Sequence, residues 1–182
     1  MKKIVLLVLI VFAFSSCEKD DICDATTSTT PRLVIEFYDI FNPTTLKNVN
    51  KLRVKADGVI QSLTFNDALP ESNPDRYLFT GNKISIPLKT STSVSETTDY
   101  SFFINSGIIG LQNEDRLTIN YTQNNVFISR ACGYKTIFTL NSSPNGIIRF
   151  DSTPPDSFWL QGINIVTTNI ENENEIHVKL FF

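Results

Sequence analysis

Few side chains in this sequence are equipped for chemistry, and their spacing decides how much they can do. The chain holds one histidine, His177, in the run Glu175-Ile176-His177-Val178-Lys179-Leu180-Phe181. Period-two alternation puts Ile176, Val178 and Leu180 on one face and His177 with Glu175 and Lys179 on the other. His177 is therefore expected on a solvated face and not in a general-base pair. A Ser-His-Asp set can assemble from distant positions, but no serine sits in a Gly-x-Ser-x-Gly turn, and no catalytic residue is assigned. Glu171-Asn172-Glu173-Asn174-Glu175 offers oxygen ligands for a hard cation. Without the Gly-containing spacing of an EF-hand loop it reads as a solvated turn, so neither a metal nor another cofactor is assigned. Phe158-Trp159-Leu160 follows Ser152-Thr153-Pro154-Pro155-Asp156 and has two readings. One is a platform for the apolar side of a pyranose ring; the other is a large side chain filling the core where a loop crosses it. Phe158 and Trp159 are the candidate ligand-binding residues.

The other reactive groups are the three cysteines, and the first of them has a context of its own. Met1-Lys2-Lys3, an unbroken apolar run over residues 4–14 and Ser15-Ser16-Cys17 make a basic region, a short hydrophobic region and small residues before a cysteine. That order makes residues 1–16 a secretory signal, because the run is about half of the ~20 residues a transmembrane helix needs. Phe14-Ser15-Ser16-Cys17 resembles the lipobox of bacterial lipoproteins. The resemblance implies that Cys17 becomes the mature N-terminus and carries a diacylglycerol and palmitate. At ~0.8 kcal/mol per buried methylene, two or three acyl chains would hold the protein in a bilayer essentially irreversibly. Glu18-Lys19-Asp20-Asp21 resembles the export signal that sends Bacteroidota lipoproteins to the cell surface; a plain charged tether is the alternative. The expected location is the outer membrane, lipid-anchored, on its periplasmic or cell-surface face.

With Cys17 assigned to lipid, Cys23 and Cys132 remain as an even pair in an oxidising compartment. A disulfide between them would close a loop of about 110 residues, for which chain-entropy arguments give roughly 4–5 kcal/mol. The alternative is two buried free thiols. There is no Cys-x-x-Cys to support a redox or metal site.

Removal of the signal takes away Lys2 and Lys3 and leaves 14 basic residues against 19 acidic ones. A mildly acidic chain without basic clusters does not suit nucleic acid, which is bound by neutralising phosphates. Nor does it suit electrostatic docking to anionic lipid, so attachment must come from the acyl chains. The composition is that of an ordinary globule, and the chain is long enough for one well-cored domain.

These residues must be positioned by strands, because period two dominates the sequence. A tether over residues 17–30 ends in Thr29-Thr30-Pro31, and residues 31–182 read as a single domain. Arg32-Leu33-Val34-Ile35-Glu36-Phe37-Tyr38 is a well-buried strand, ended by Asn42-Pro43. Leu52, Val54 and Ala56 alternate with polar residues; Asp57-Gly58 then predicts a hairpin in which Val59, Leu63 and Phe65 return on the same face. Further strands are expected at residues 76–80, 83–88 (an edge, from Pro87), 98–104, 116–121, 126–128, 134–140, 147–150, 162–168 and 175–181. Asn124-Asn125 reads as a turn, and residues 169–174 as a polar hairpin tip. About ten short strands predict an all-β, antiparallel β-sandwich, immunoglobulin-like or related.

Four blocks together resemble an uncharacterised family of small Bacteroidota lipoproteins, catalogued as a domain of unknown function. They are Cys23 before Thr30-Pro31, Leu33-Val34-Ile35-Glu36-Phe37-Tyr38, Ser129-Arg130-Ala131-Cys132-Gly133, and His177-Val178-Lys179-Leu180-Phe181-Phe182. The resemblance implies an envelope location and is consistent with the Cys23–Cys132 pair; it implies no mechanism. The expected function is that of a non-enzymatic accessory or interaction module of the envelope. Its partners would be the bilayer, through acylated Cys17, and another envelope protein. The alternative is a glycan- or small-ligand-binding module that uses aromatics near Trp159.

Overall fold

The computed structural model of the protein describes residues 22–24, 27 and 29–182. The signal segment 1–16 and Cys17 lie outside the described residues. Eleven strands form among those described: β1 (Leu33–Tyr38), β2 (Val49–Ala56), β3 (Phe79–Gly81), β4 (Lys83–Ile86), β5 (Ser95–Ile104), β6 (Asn113–Ser129), β7 (Gly133–Leu140), β8 (Ile147–Asp151), β9 (Gly162–Ile165), β10 (Asn169–Ile170) and β11 (Val178–Phe181). They build a sandwich of two sheets, one ordered β4-β1-β11-β9 and the other β10-β7-β6-β5-β2-β3 with β8 added to β6. All pairings are antiparallel except that of β1 with β11, the first and last strands. The all-β sandwich expected from the alternation is the fold observed.

The small sheet is organised by β1, whose six residues are all buried. Leu33, Ile35 and Phe37 face the core, where they meet Leu52 and Val54 of β2, Phe102 of β5, and Leu117, Ile119 and Tyr121 of β6. Each fully buried aliphatic side chain of this kind contributes about 1.5–3 kcal/mol. On the other side of β1, Glu36 is tied down by the Tyr38 hydroxyl, which donates to it at 2.8 Å, and by Lys83 at 3.7 Å.

The large sheet is organised by β6. Its first half pairs with β5 on one side and β8 on the other, and its second half pairs with β7. β7 and β8 therefore run end to end along one side of β6, interrupted by residues 141–146. The interruption is pinned at one residue: Asn120 accepts from the Asn141 N–H at 3.0 Å, donates its own N–H to the Gly146 carbonyl at 2.8 Å, and reaches Asn145 O with its amide at 2.8 Å. Gly146 has no room for a side chain, since a Cβ there would lie 2.0 Å from Asn141 O and 2.7 Å from Ile165 Cδ1.

Where the chain passes from β4 toward β5, it must satisfy backbone groups that belong to neither sheet. Three side chains do this. The Lys89 N–H donates to Thr98 Oγ1 at 3.1 Å, and the Tyr121 hydroxyl donates to Lys89 O at 2.6 Å. With the Tyr121 proton so committed, Thr98 Oγ1 donates to the Tyr121 oxygen at 2.7 Å and closes a circuit. Tyr100 adds a bond from its hydroxyl to Pro87 O at 2.5 Å.

Three sequence expectations are corrected. The chain does turn after β2, with Gly58 at φ +72°, but residues 59–65 form no strand; β2 pairs with β5 and β3 instead. Leu63 and Phe65 still pack on the core, while Val59 and Ile60 are exposed. Asn124-Asn125 is no turn: β6 runs straight through it and turns at residues 130–132. Beyond the sandwich both faces of β6 meet water, so polar residues cost nothing there, and Asn125 Oδ1 accepts from the Thr136 hydroxyl at 2.8 Å. The supposed hairpin tip at 169–174 contains β10, which crosses to the large sheet, pairs with β7 and buries Ile170.

Cys23 and Cys132 form a disulfide across a sequence separation of 109 residues. It joins the segment before β1 to the turn between β6 and β7. Reduction, or a Cys132→Ser substitution, should lower unfolding stability by about 4 kcal/mol from loop closure alone, measured by urea titration. A midpoint unchanged by reductant would refute that role. Gly146→Ala should destabilise by roughly 2 kcal/mol or more, because backbone must move to admit the methyl.

Candidate functional site

Strands expose alternate residues, so the outer face of the large sheet can be read from register. Outward side chains of β2, β5, β6 and β8 floor an open groove of about 860 Å³. The floor carries Lys55, Asp99, Ser101, Glu114, Arg116 and Thr118, and its walls are Phe103, Phe150 and the turn residues Val59 and Ile60. Much of the floor is already paired. Ser101 Oγ donates to Glu114 Oε1 at 2.7 Å, Arg116 Nε donates to the same oxygen at 3.0 Å, and the Thr118 hydroxyl donates to Asp99 at 2.5 Å. Lys55 makes no ion pair among the described residues. Two residues along β2, on the same face, Arg53 Nε is buried with no hydrogen-bond partner among the described residues.

The rim of the groove is shaped by Asp151. Partial burial works to raise the pKa of its carboxyl, but the surrounding hydrogen-bond donors, with the Asp156 and Ser152 N–H groups foremost, hold it below the usual range. Its Oδ1 accepts from Ser152 N–H at 2.7 Å and its Oδ2 from Ser157 N–H at 3.2 Å, which folds residues 151–157 into a fixed loop. The groove contains no histidine or cysteine. It presents polar groups paired along a floor, a lysine with no ion pair among the described residues, and apolar walls.

The sequence-derived candidates lie elsewhere. Trp159 is 9% exposed, its Nε1–H donates to Phe102 O at 3.1 Å, and its ring packs between Phe37 and Phe182. Of the two readings of Trp159, the structure shows the core side chain and not the ligand platform. Phe158 is exposed and lies beneath the Arg149 guanidinium, 3.8 Å from its ring centroid. His177 is corrected more sharply. It is 0% exposed, not solvated, because β11 begins only at Val178 and the ring turns along the start of β1. Its Nδ1 accepts from the Val34 N–H at 2.9 Å, while its backbone N–H donates to Val34 O at 3.1 Å. The imidazole supplies the acceptor that the first rung of the parallel ladder lacks. In the acidic run, Glu173 forms a bidentate bridge to Arg32 at 2.8–3.1 Å. Glu175 accepts from Asn172 at 3.3 Å. Among the described residues no three His, Cys, Asp or Glu side chains gather as metal ligands would.

A family model described as a family of unknown function (DUF6452) matches residues 52–182. The chain belongs to that family. No curated protein and no solved structure matches it. The DUF6452 match begins within β2, so it includes the groove, Cys132 and His177 but neither β1 nor Cys23.

Sequence reading missed two features of this DUF6452 chain, and both had a signal. Phe102-Phe103 is a pair of adjacent apolar residues in a strand, so one had to point outward; that one is Phe103, in the groove. Asp115 shares parity with Leu117, Ile119 and Tyr121 and therefore points into the core. It is fully buried, and its Oδ2 accepts from the Leu160 N–H at 2.6 Å, which fixes the loop that carries Trp159. Burial pushes its carboxyl up to about 6.

Burial also lowers the His177 pKa, against the opposing pull of Glu175 and Glu173. The two groups act on stability with opposite signs. The unfolded chain takes up a proton on His177 more readily than the folded one, so this contribution is full above about pH 6.5 and is lost as pH falls below it. Asp115 holds its proton more tightly when folded, so its contribution is full below about pH 4 and is lost as pH rises through 6. His177→Gln should flatten the stability loss seen by urea titration between pH 7 and 5. Asp115→Asn, which keeps an acceptor for Leu160, should be at least as stable as the parent at pH 7.5 and lose that advantage below pH 5. Asp115→Leu should cost about 1–3 kcal/mol. A parent protein more stable than Asp115→Asn at pH 7.5 would contradict the sign assigned to Asp115.

Proposed function

We propose that this chain is a lipid-anchored, non-enzymatic interaction module of the cell envelope. Acylated Cys17 holds it in the outer membrane, on the periplasmic or cell-surface face, and the groove of the large sheet receives another envelope protein. The secretory pattern before Cys17 supports export, and the Cys23–Cys132 disulfide is consistent with an oxidising compartment. The groove carries the reading of function. An uncommitted Lys55 beside exposed Val59 and Ile60 combines a charge for specificity with apolar surface of the kind that marks interaction sites. A second reading, glycan binding in the same groove, is favoured by the partly exposed Phe103 and Phe150 flanking a hydrogen-bonding floor.

Two experiments test this. Palmitate labelling in a bacterial host should mark the chain, and Cys17→Ala should abolish the label and leave the precursor uncleaved; an unlabelled parent removes the anchor. A photo-crosslinking residue in place of Ile60 should capture one protein from intact envelopes, and Lys55→Glu should reduce the adduct about tenfold, the scale of one lost charge contact. Loss of the adduct on adding oligosaccharide would favour the glycan reading. An adduct unchanged by Lys55→Glu would exclude the groove.

A further inference from the structure

The hairpin of β6 and β7 projects past the sandwich, and three observations bear on what its end meets. The first is its apolar content. Phe127 and Tyr134 are cross-strand partners, 55% and 70% exposed, with ring centroids 5.3 Å apart in an edge-to-face arrangement. A large aromatic pair left in water at the end of a rigid hairpin is surface held open for contact.

The second is the disulfide. It fixes Cys23 to Cys132, in the turn of the same hairpin. Thr30 also lies against the hairpin: its Oγ1 accepts from the Thr136 N–H at 3.0 Å. The part of the body closest in chain length to residue 17 is therefore this turn. The third is the length of chain left over. Cys17 and Cys23 are six residues apart, which span at most ~20 Å when fully extended. β6 itself, with its 17 residues, is about 50 Å long at ~3.3 Å per residue. An anchor at Cys17 thus holds the hairpin end near the bilayer, while the opposite end of β6 lies about 50 Å farther along the strand.

We propose that Phe127 and Tyr134 rest in the interfacial layer of the bilayer that holds the acyl chains, so that the sandwich stands end-on with the 105–112 loop outermost. Aromatic rings settle at the headgroup level, and tyrosine, like tryptophan, is enriched there because the ring meets apolar surface while the polar end stays wet. The proposal rests on the anchoring reading at Cys17. It adds orientation: the lipid fixes distance, and the disulfide-pinned aromatic pair fixes which end faces the membrane.

The test uses the natively processed, acylated chain in vesicles of phosphatidylethanolamine and phosphatidylglycerol (3:1), with and without bromine on the lipid acyl chains. Two single variants report position, Phe127→Trp at the hairpin and Ile109→Trp in the opposite loop; both sites are exposed, and Trp159 is a shared buried background. Bromolipid should quench the Phe127→Trp emission and leave that of Ile109→Trp at the parental level. The Cys23→Ser/Cys132→Ser pair, added to Phe127→Trp, should weaken the quenching. Equal quenching at both sites, or none at either while the protein still floats with the vesicles, overturns the orientation and leaves the anchor intact. Protein that carries no lipid and does not float overturns both.

Discussion

The large sheet depends on the register of one strand. β6 gives its odd residues, Asp115 to Tyr121, to the core and its even residues, Glu114 to Thr118, to the groove, while three other strands take their alignment from it. A slip of one residue would exchange these two sets, placing Glu114 and Arg116 among the core leucines. Register is held by specific bonds as well as by hydrophobicity. The Lys89–Thr98–Tyr121 circuit accepts only one alignment of β5 on β6. Asn120 holds the β7–β8 interruption at one point. Core and groove are two faces of a single alignment.

Much of this was legible because period two is a direct readout of a half-buried strand. β1, β5, β7 and β8 lie close to where alternation put them. The failures share a cause, namely that local signals were read where tertiary partners decide. Asn124-Asn125 has the composition of a turn, but in a hairpin that outruns its sandwich polarity carries no penalty. Asp57-Gly58 does turn the chain, yet a turn does not supply a strand, and β2 found its partner in β5 more than forty residues away. A single apolar residue in a polar run, Ile170, marked β10 and was overlooked.

The candidate site was less legible, for a related reason. Residue type offered Trp159 as a ligand platform or a core side chain and put His177 on a solvated face, and both proved to be fastenings: one seals the core and completes a backbone bond to Phe102, the other supplies an acceptor to Val34. The surface with binding character is assembled from ordinary residues on four strands, each unremarked alone. Only pairing, β2 with β5, β5 with β6 and β6 with β8, brings Lys55, Phe103, Arg116 and Phe150 onto one face. The disulfide was recoverable because covalent arithmetic does not depend on the fold.

The parallel contact between β1 and β11 has a temporal consequence. A chain that emerges N-terminus first exposes β1 early, and β1 then keeps one open side until residues 178–181 arrive. The small sheet cannot close until residues 178–181 have joined β1, however early the rest of the chain is made. The stretch from residue 52 onward would, made alone, lack the central strand between β4 and β11. The boundary of inherited similarity is thus not the boundary of the unit that folds.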